Sequence, residues 1–354
     1  MQTAETEYFK GRGAQFNAAN PYLKNELVTE HEEGLDEPLH TNSSTQFFRE
    51  TPKKIINKVD SPDIGLLYSM NPYQGCEHGC IYCYARNSHQ YWGFSAGLDF
   101  ERKIIIKENA PELLEKQLSH PKWKPQPIML SGNTDCYQPI ERKLKITRKM
   151  LEVLLKFRHP VGVITKNSLI LRDLDILSEM AKLNLVNVSI SITSLDESLR
   201  QKLEPRTASA KKRLKNVEEL SKAGIPVNIM VAPVIPGLNS FEIPEIIKQS
   251  AAHGALSAAY TIVRLNGSIA AIFENWIRKA FPNRAEKVLN QIAECHSGKL
   301  NDSRWGTRMK GQGNVAESIA KLFRVSKKKY LKGRSMPPLD LTAFNPPGRQ
   351  FELF

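Results

Sequence analysis

From residue 62 onward, short apolar runs rich in branched side chains alternate with segments whose apolar positions recur every three to four residues. The runs are LLYSM (66–70), PIMLS (127–131), VGVIT (161–165), VNVSISI (186–192), PVNIMVA (226–232) and AAYTIV (258–263), with KIIIK (103–107) as an additional strand candidate. KITRKMLEVLLKF, RDLDILSEMAKL, SAKKRLKNVEELSKAG and FEIPEIIKQSAAHG carry the helical period between them, and Gly224 and Gly254 stand where helix C-terminal caps belong. This alternation predicts an α/β fold around a parallel sheet, either open and doubly wound or curved into a partial barrel, and periodicity does not choose between them. In both architectures the chemistry belongs at the C-terminal ends of the strands.

The flanks differ from this middle. Residues 1–45 are polar and aperiodic, with 8 acidic and 3 basic side chains, and read as an arm or linker before a core over 46–298. Residues 299–354 hold 12 basic and 4 acidic side chains and form a basic extension. The whole chain of 354 residues carries a formal charge of +13 and is 41% apolar, which suits a globular protein with an anionic partner. It has no apolar run of about 18 residues and no apolar stretch at its N-terminus, so a membrane span and a signal peptide are not expected and the cytoplasm is the expected location.

Three of the five cysteines, Cys76, Cys80 and Cys83, fall in NPYQGCEHGCIYCYAR, directly after the first strand candidate. Three thiolates on one loop can converge on an iron–sulfur cluster, with Gly75 and Gly79 permitting tight turns and Tyr82 covering the centre from water. The alternative is a zinc knuckle with His78 or His89 as fourth ligand. CxxxCxxC with an aromatic before the last cysteine resembles the signature of the radical S-adenosylmethionine (SAM) enzymes. The wider motif is similar to the branch related to spore photoproduct lyase, the DNA repair photolyase-like proteins. The resemblance spans roughly residues 62–270. It implies a partial (β/α)6 barrel, a 4Fe-4S cluster on the three cysteines with its fourth iron chelated by SAM, and an electron donor such as flavodoxin or ferredoxin. The activity implied is reductive cleavage of SAM to a 5′-deoxyadenosyl radical acting on nucleic acid, with RNA or a protein side chain as the alternative target. A zinc-stabilised nucleic-acid binding protein without catalysis is the alternative of another class.

The polar residues after each strand are the remaining site candidates. Ser131, Asn133, Thr134 and Asp135 occupy the place where family members bind the SAM amino group, and the Thr134 hydroxyl and Asp135 carboxylate are acceptors for an ammonium. Ser189 and Ser191 share one face of their strand by the period of two. The resemblance assigns Lys166 and Ser191 to the SAM carboxylate, and the turn at Pro236 and Gly237 to packing against adenine. Glu204 and Arg206 are candidates for ribose or substrate, with a surface ion pair as the alternative, and Arg264 for an anionic substrate. Cys136 adjoins the expected SAM site, where a thiol could return a hydrogen atom to a substrate radical. In the resembled lyase, however, that cysteine precedes the aspartate by three residues, a position held here by Gly132. Cys295, on a helical pattern, reads as a buried small apolar residue.

In the extension, Arg304, Arg308, Lys310, Lys327, Lys328 and Lys329 interleave with Trp305, Phe323 and Tyr330, a mixture that suits phosphate neutralisation and base stacking or, equally, a solvated helix with core aromatics. The last five residues, QFELF, resemble the QLxLF peptide by which bacterial replication and repair proteins dock on the DNA sliding clamp, with Gln350, Leu353 and Phe354 matching. Folding back onto the body is the alternative for two apolar residues at a chain end. Calorimetric titration of the C-terminal peptide against the cognate clamp is expected to show saturable binding, and no heat at tens of micromolar peptide removes the clamp expectation.

Overall fold

A computed structural model describes residues 8–23, 44–63, 65 and 67–347. Ten strands are present: β1 (Gln46–Arg49), β2 (Asn57–Lys58), β3 (Tyr68–Met70), β4 (Tyr73–Gln74), β5 (Lys103–Ile106), β6 (Ile128–Leu130), β7 (Val161–Thr165), β8 (Val186–Ser191), β9 (Val227–Val234) and β10 (Ser257–Ile262). Six of them pair in parallel in the order β3-β6-β7-β8-β9-β10, and β2 adds antiparallel to the β3 edge. β2 and β10 do not pair, so the arc is a partial barrel and not a closed one. All six expected strands form, with ends shifted by at most two residues. The seventh, KIIIK, joins a separate three-stranded sheet β1-β5-β4.

Alternation decides the curvature. In β8, Val186, Val188 and Ile190 are buried on the helix side, while Asn187 and Ser189 are only half-buried on the other. The register puts Met129, Gly162 and Asn187 in one row and Ser189 beside Asn228 in the next. The concave face therefore mixes polar groups and Gly162 with Met129, Ile164 and Met230. The convex face is sealed by helices such as Ile146–Lys156, Leu174–Lys182, Ala210–Lys222 and Ile243–Ala252. Two of the helix starts after β8 are fixed by side chains, Asp196 accepting from the amides of Ser198 and Leu199, and Ser209 from that of Lys212.

The flanks are built into the body. Glu101, wholly buried, accepts hydrogen bonds from the amides of Gly13 (3.2 Å) and Ala14 (2.8 Å), fixing the described part of the N-terminal region. The helix Gly313–Tyr330 packs on Ile243–Ala252 and on β10, with Ala316, Ile319 and Phe323 inward and Phe323 4.5 Å from the Tyr260 ring. Burial of Phe323 contributes roughly 2 kcal/mol, so this aromatic belongs to the core and is not free to stack on bases. The chain then crosses beneath the barrel. Arg334 donates to the carbonyls of Ala251 and Ala255, and the amides of Asp340 and Asn345 to those of Asn184 and Phe157. The open side of the arc is bridged as well, because Asp63, on the β2–β3 connection, pairs with Arg308 and accepts from the amide of Gly306 at 2.7 Å. Residues 350–354, expected to dock on a clamp, lie outside the described residues. Among the described residues no helix is long and apolar enough to cross a membrane.

His159 closes the lower end of β7. Its Nδ1–H donates to the Pro160 carbonyl (3.0 Å) and its Nε2 accepts from the Trp123 indole N–H (3.2 Å), an arrangement open only to the neutral ring. Burial pushes its pKa down to about 4. The unfolded chain has the ordinary value near 6.5, so this stabilisation is complete above about pH 6.5 and is lost as pH falls toward 4. Urea titrations across that window should show stability falling with acid, and His159→Gln should flatten the slope.

Candidate functional site

The loop carrying the three cysteines is fixed at both ends before any cofactor is considered. Asn71, one residue beyond β3, accepts from the amides of Asn133 (2.8 Å) and Thr134 (3.2 Å), which ties the C-terminal ends of β3 and β6 together. Tyr73 and Gln74 then pair with β5, and the Cys76 amide donates to the Phe100 carbonyl at 2.8 Å. Gly79 has φ +67, and a Cβ there would lie 2.8 Å from Glu101 Oε2, so the second turn needs glycine. Cys83 opens a short 3-10 helix, Tyr84–Trp92, that throws Arg86 back under the loop. The guanidinium donates to the carbonyls of Cys80 (3.0 Å), Ala96 (3.2 Å) and Gly97 (2.9 Å) and pairs with Glu101 at 2.6 Å, both side chains wholly buried.

The opposite wall comes from the connection after β8. Ile81 and Arg206 donate their amides to the carbonyls of Leu203 and His78, so the LEPR segment is stitched to the cysteine loop. Glu204, expected either at substrate or in a surface pair, is instead fully buried. It pairs with Arg213, accepts from the hydroxyls of Thr193 (2.6 Å) and Tyr82, and stands 3.6 Å from Lys166 Nζ. Burial alone would raise its pKa, but Arg213 and Lys166 outweigh burial and hold the carboxyl far below the usual range. Lys166 thus sits beside the cysteine loop, its ammonium 5.8 Å from the centre of the Tyr82 ring.

Asp135 differs from the expectation. Its carboxylate accepts from Thr165 Oγ1 (2.8 Å) and from the amides of Lys166 (2.8 Å) and Tyr137 (2.9 Å), and His78 Nδ1 lies at 3.4 Å. Burial would raise its pKa, but His78 and these donors hold it below the ordinary value. With its oxygens already engaged, Asp135 braces β6 against β7 and is not a free acceptor for an ammonium. The Thr134 hydroxyl donates to the Tyr73 carbonyl, and Asn133 Nδ2 donates to Gln74 and Ser88, so both serve the start of the loop while Thr134 keeps lone pairs to accept with. Ser131 has φ +74 and accepts from the Cys136 amide. Ser189 accepts from Asn228 on the concave face, and Ser191 lies farther along the same face, its carbonyl held by Arg213.

The turn after β9 and Cys136 are placed as follows. Pro236 is buried, and a Cβ on Gly237 would lie 2.4 Å from Gln291 Oε1. This turn therefore packs against the helix Ala285–Cys295, and the half-buried groups at the end of β9 are Ala232 and Pro233. Cys136 is wholly buried in the layer between sheet and helices, a core it shares with Tyr73, Tyr137 and Met150, and its backbone carbonyl accepts from Thr147. It is a packing residue, not a group facing a substrate. At Gly132, the position of the missing thiol, a Cβ would meet that of Ser69 at 2.9 Å, which leaves no space for a cysteine without a shift. Cys295 is fully buried, as expected.

The three loop thiols lie in a desolvated setting. Burial pushes all three pKa values up, so free thiols keep their protons, and thiolates form with metal coordination. Among the described residues no group of three or more His, Cys, Asp or Glu could hold a single metal ion. A four-iron cluster asks for a different arrangement, three thiolates each on its own iron, with one iron left open.

Known proteins resemble the chain in sequence and in fold. A model of the radical SAM superfamily matches residues 70–249. An uncharacterized protein of Mycobacterium tuberculosis is 32% identical over 233 residues, covering 65% of this chain and 68% of its own length. One of Methanocaldococcus jannaschii is 29% identical over 252 residues, covering 71% and 90%. Spore photoproduct lyase complexed with dinucleoside spore photoproduct has a similar fold, with a TM-score of 0.61 at 16% identity over 82% of each chain. A variant of that lyase with bound AdoMet and dinucleoside spore photoproduct gives 0.58 at 16% identity, again over 82% of each chain.

Glu204 and Cys136, both buried, should differ in how much their substitution costs. Glu204→Gln leaves Arg213 as an unpaired buried charge and should cost about 3–5 kcal/mol in thermal or urea unfolding. Cys136→Ala should cost about 1 kcal/mol and leave cofactor binding intact.

Proposed function

Because the chain belongs to the radical SAM superfamily and is a radical SAM enzyme, we propose that Cys76, Cys80 and Cys83 hold a 4Fe-4S cluster at which SAM is reductively cleaved, and that the substrate is nucleic acid. The observation that carries this reading is the three-cysteine loop, with Cys76 and Cys80 buried and Cys83 half-buried, braced by Arg86 and Glu204 at the C-terminal end of a six-stranded parallel arc. When bound, the cluster supplies the electron that splits SAM into methionine and the 5′-deoxyadenosyl radical that takes a hydrogen atom from the substrate.

The chain's own contribution is positional. Lys166, beside Glu204, offers a cation for the SAM carboxylate, and Ser191 a hydroxyl on the same concave face. Backbone carbonyls of the Ser131–Asn133 turn and the Thr134 oxygen are the acceptors left for the ammonium once Asp135 is engaged. Tyr82, locked to Glu204 and Thr193, keeps water from one side of the loop, so a reactive radical is shielded from quenching. A nucleic-acid substrate is supported by two features. The structurally similar lyase was seen with a dinucleoside photoproduct. In this chain Trp305 is 53% exposed beside the open side of the arc, held by the Arg308 guanidinium 3.7 Å from its ring centre, an aromatic face on which a base can stack.

Anaerobic reconstitution should give about four irons per chain, and dithionite with SAM should release 5′-deoxyadenosine. Cys80→Ala should lose both. Stoichiometric zinc without SAM cleavage in the wild-type protein overturns the proposal.

A further inference from the structure

We infer that the shallow hollow lined by Phe47, Glu77, Pro139, Ile140, Arg142 and Lys143 is the docking face for a small acidic protein that carries single electrons to the cluster. The inference rests on the reading of Cys76, Cys80 and Cys83 as cluster ligands. Glu77 lines the hollow and is bonded in the chain to Cys76. Its carboxylate accepts from the Ile140 amide (3.1 Å), its own amide donates to Gln138 Oε1 (3.0 Å), and Gln138 Nε2 donates to the Gly75 carbonyl (3.2 Å). The rim of the hollow and the start of the cysteine loop are therefore one hydrogen-bonded piece, with a single peptide unit between the lining and a cluster ligand. Electron tunnelling falls steeply with distance, so a carrier seated here has a short route.

The surface chemistry fits such a carrier. Phe47 is 46% exposed on β1, and Pro139 and Ile140 extend the apolar floor. Arg142 and Lys143 at the rim, and Lys145 just beyond, are exposed, and among the described residues none has an acidic partner. An apolar centre rimmed by unpaired cations complements an acidic protein with an exposed apolar edge, the charges steering encounter and the apolar contact holding it. β1 and the turn Glu141–Leu144 lie outside the concave face, so the carrier and the substrate can be held at the same time. One electron leaves the carrier and enters the cluster, with no bond formed or broken.

Flavodoxin is the probe. Oxidised flavodoxin titrated into the reconstituted protein at low ionic strength should bind, and Arg142→Glu with Lys143→Glu should weaken binding about tenfold or more. Phe47→Ser should weaken it by faster release. Reduction of the cluster by flavodoxin hydroquinone, which becomes the semiquinone, should slow in parallel, while reduction by dithionite stays unchanged. Lys211→Glu with Lys212→Glu makes the same charge change on an exposed helix elsewhere and should leave binding unaltered. Equal weakening by both double variants, or none by the first, overturns the docking face while dithionite-driven SAM cleavage leaves the cluster reading standing. Absence of any cluster overturns that reading and this one with it.

Discussion

Two buried ion pairs, Arg86–Glu101 and Arg213–Glu204, hold the cysteine loop from below and from the side, and most of the site follows from the need to keep them satisfied. A charge taken out of water is tolerated only when its remaining donors and acceptors are also met. Arg86 therefore gathers three carbonyls from two loops, and Glu101 gathers two amides from the N-terminal region. Glu204 in turn gathers two hydroxyls and stands near one ammonium. Each pair thus fixes backbone far from its own position in sequence. The loop that must present three thiols is held by this geometry and not by the thiols themselves.

The strands and the helices over them were legible because half-buried strands and amphipathic helices impose different periods on the chain. VGVIT forms residue for residue, and VNVSISI and PVNIMVA differ only at their ends. The cysteine loop was legible because the motif that carries it is local, three cysteines within eight residues. What the sequence hid are pairings between distant segments. Arg86 stands in the motif itself, but nothing nearby announces Glu101 as its partner, and Glu204 looks like a surface residue until Arg213, nine positions on, is seen buried beside it. The same blindness misplaced Asp135. A carboxylate after a strand looks available, and only the register of β6 beside β7 shows that Thr165 and the Lys166 amide reach it first. Cys136 shows a related point, since nearness in sequence to a strand end does not say which way a group faces.

The basic extension illustrates how charge composition and structural role separate. Counted along the chain it is a cationic tail, yet Arg304 pairs with Asp302, Arg308 with Asp63, and Lys327 donates to Ser257 and Ala258, while Phe323 fills the core. Part of the charge that suggested an anionic partner is thus engaged in attaching the extension to the barrel. Trp305 with Arg308 retains both an exposed face and a link to the body.

That attachment bears on how the chain is made. The Ile262 amide at the outer edge of β10 donates to the Met309 carbonyl, and the helix Gly313–Tyr330 covers the same strand. On a ribosome, β10 is synthesised well before either partner and presents a bare edge during that interval. The bridge from Arg308 to Asp63 spans 245 positions, so the barrel is secured only when translation is nearly complete. Nascent chains interrupted before residue 299 would therefore expose a pairing-competent strand, the kind of surface that chaperones and proteases recognise.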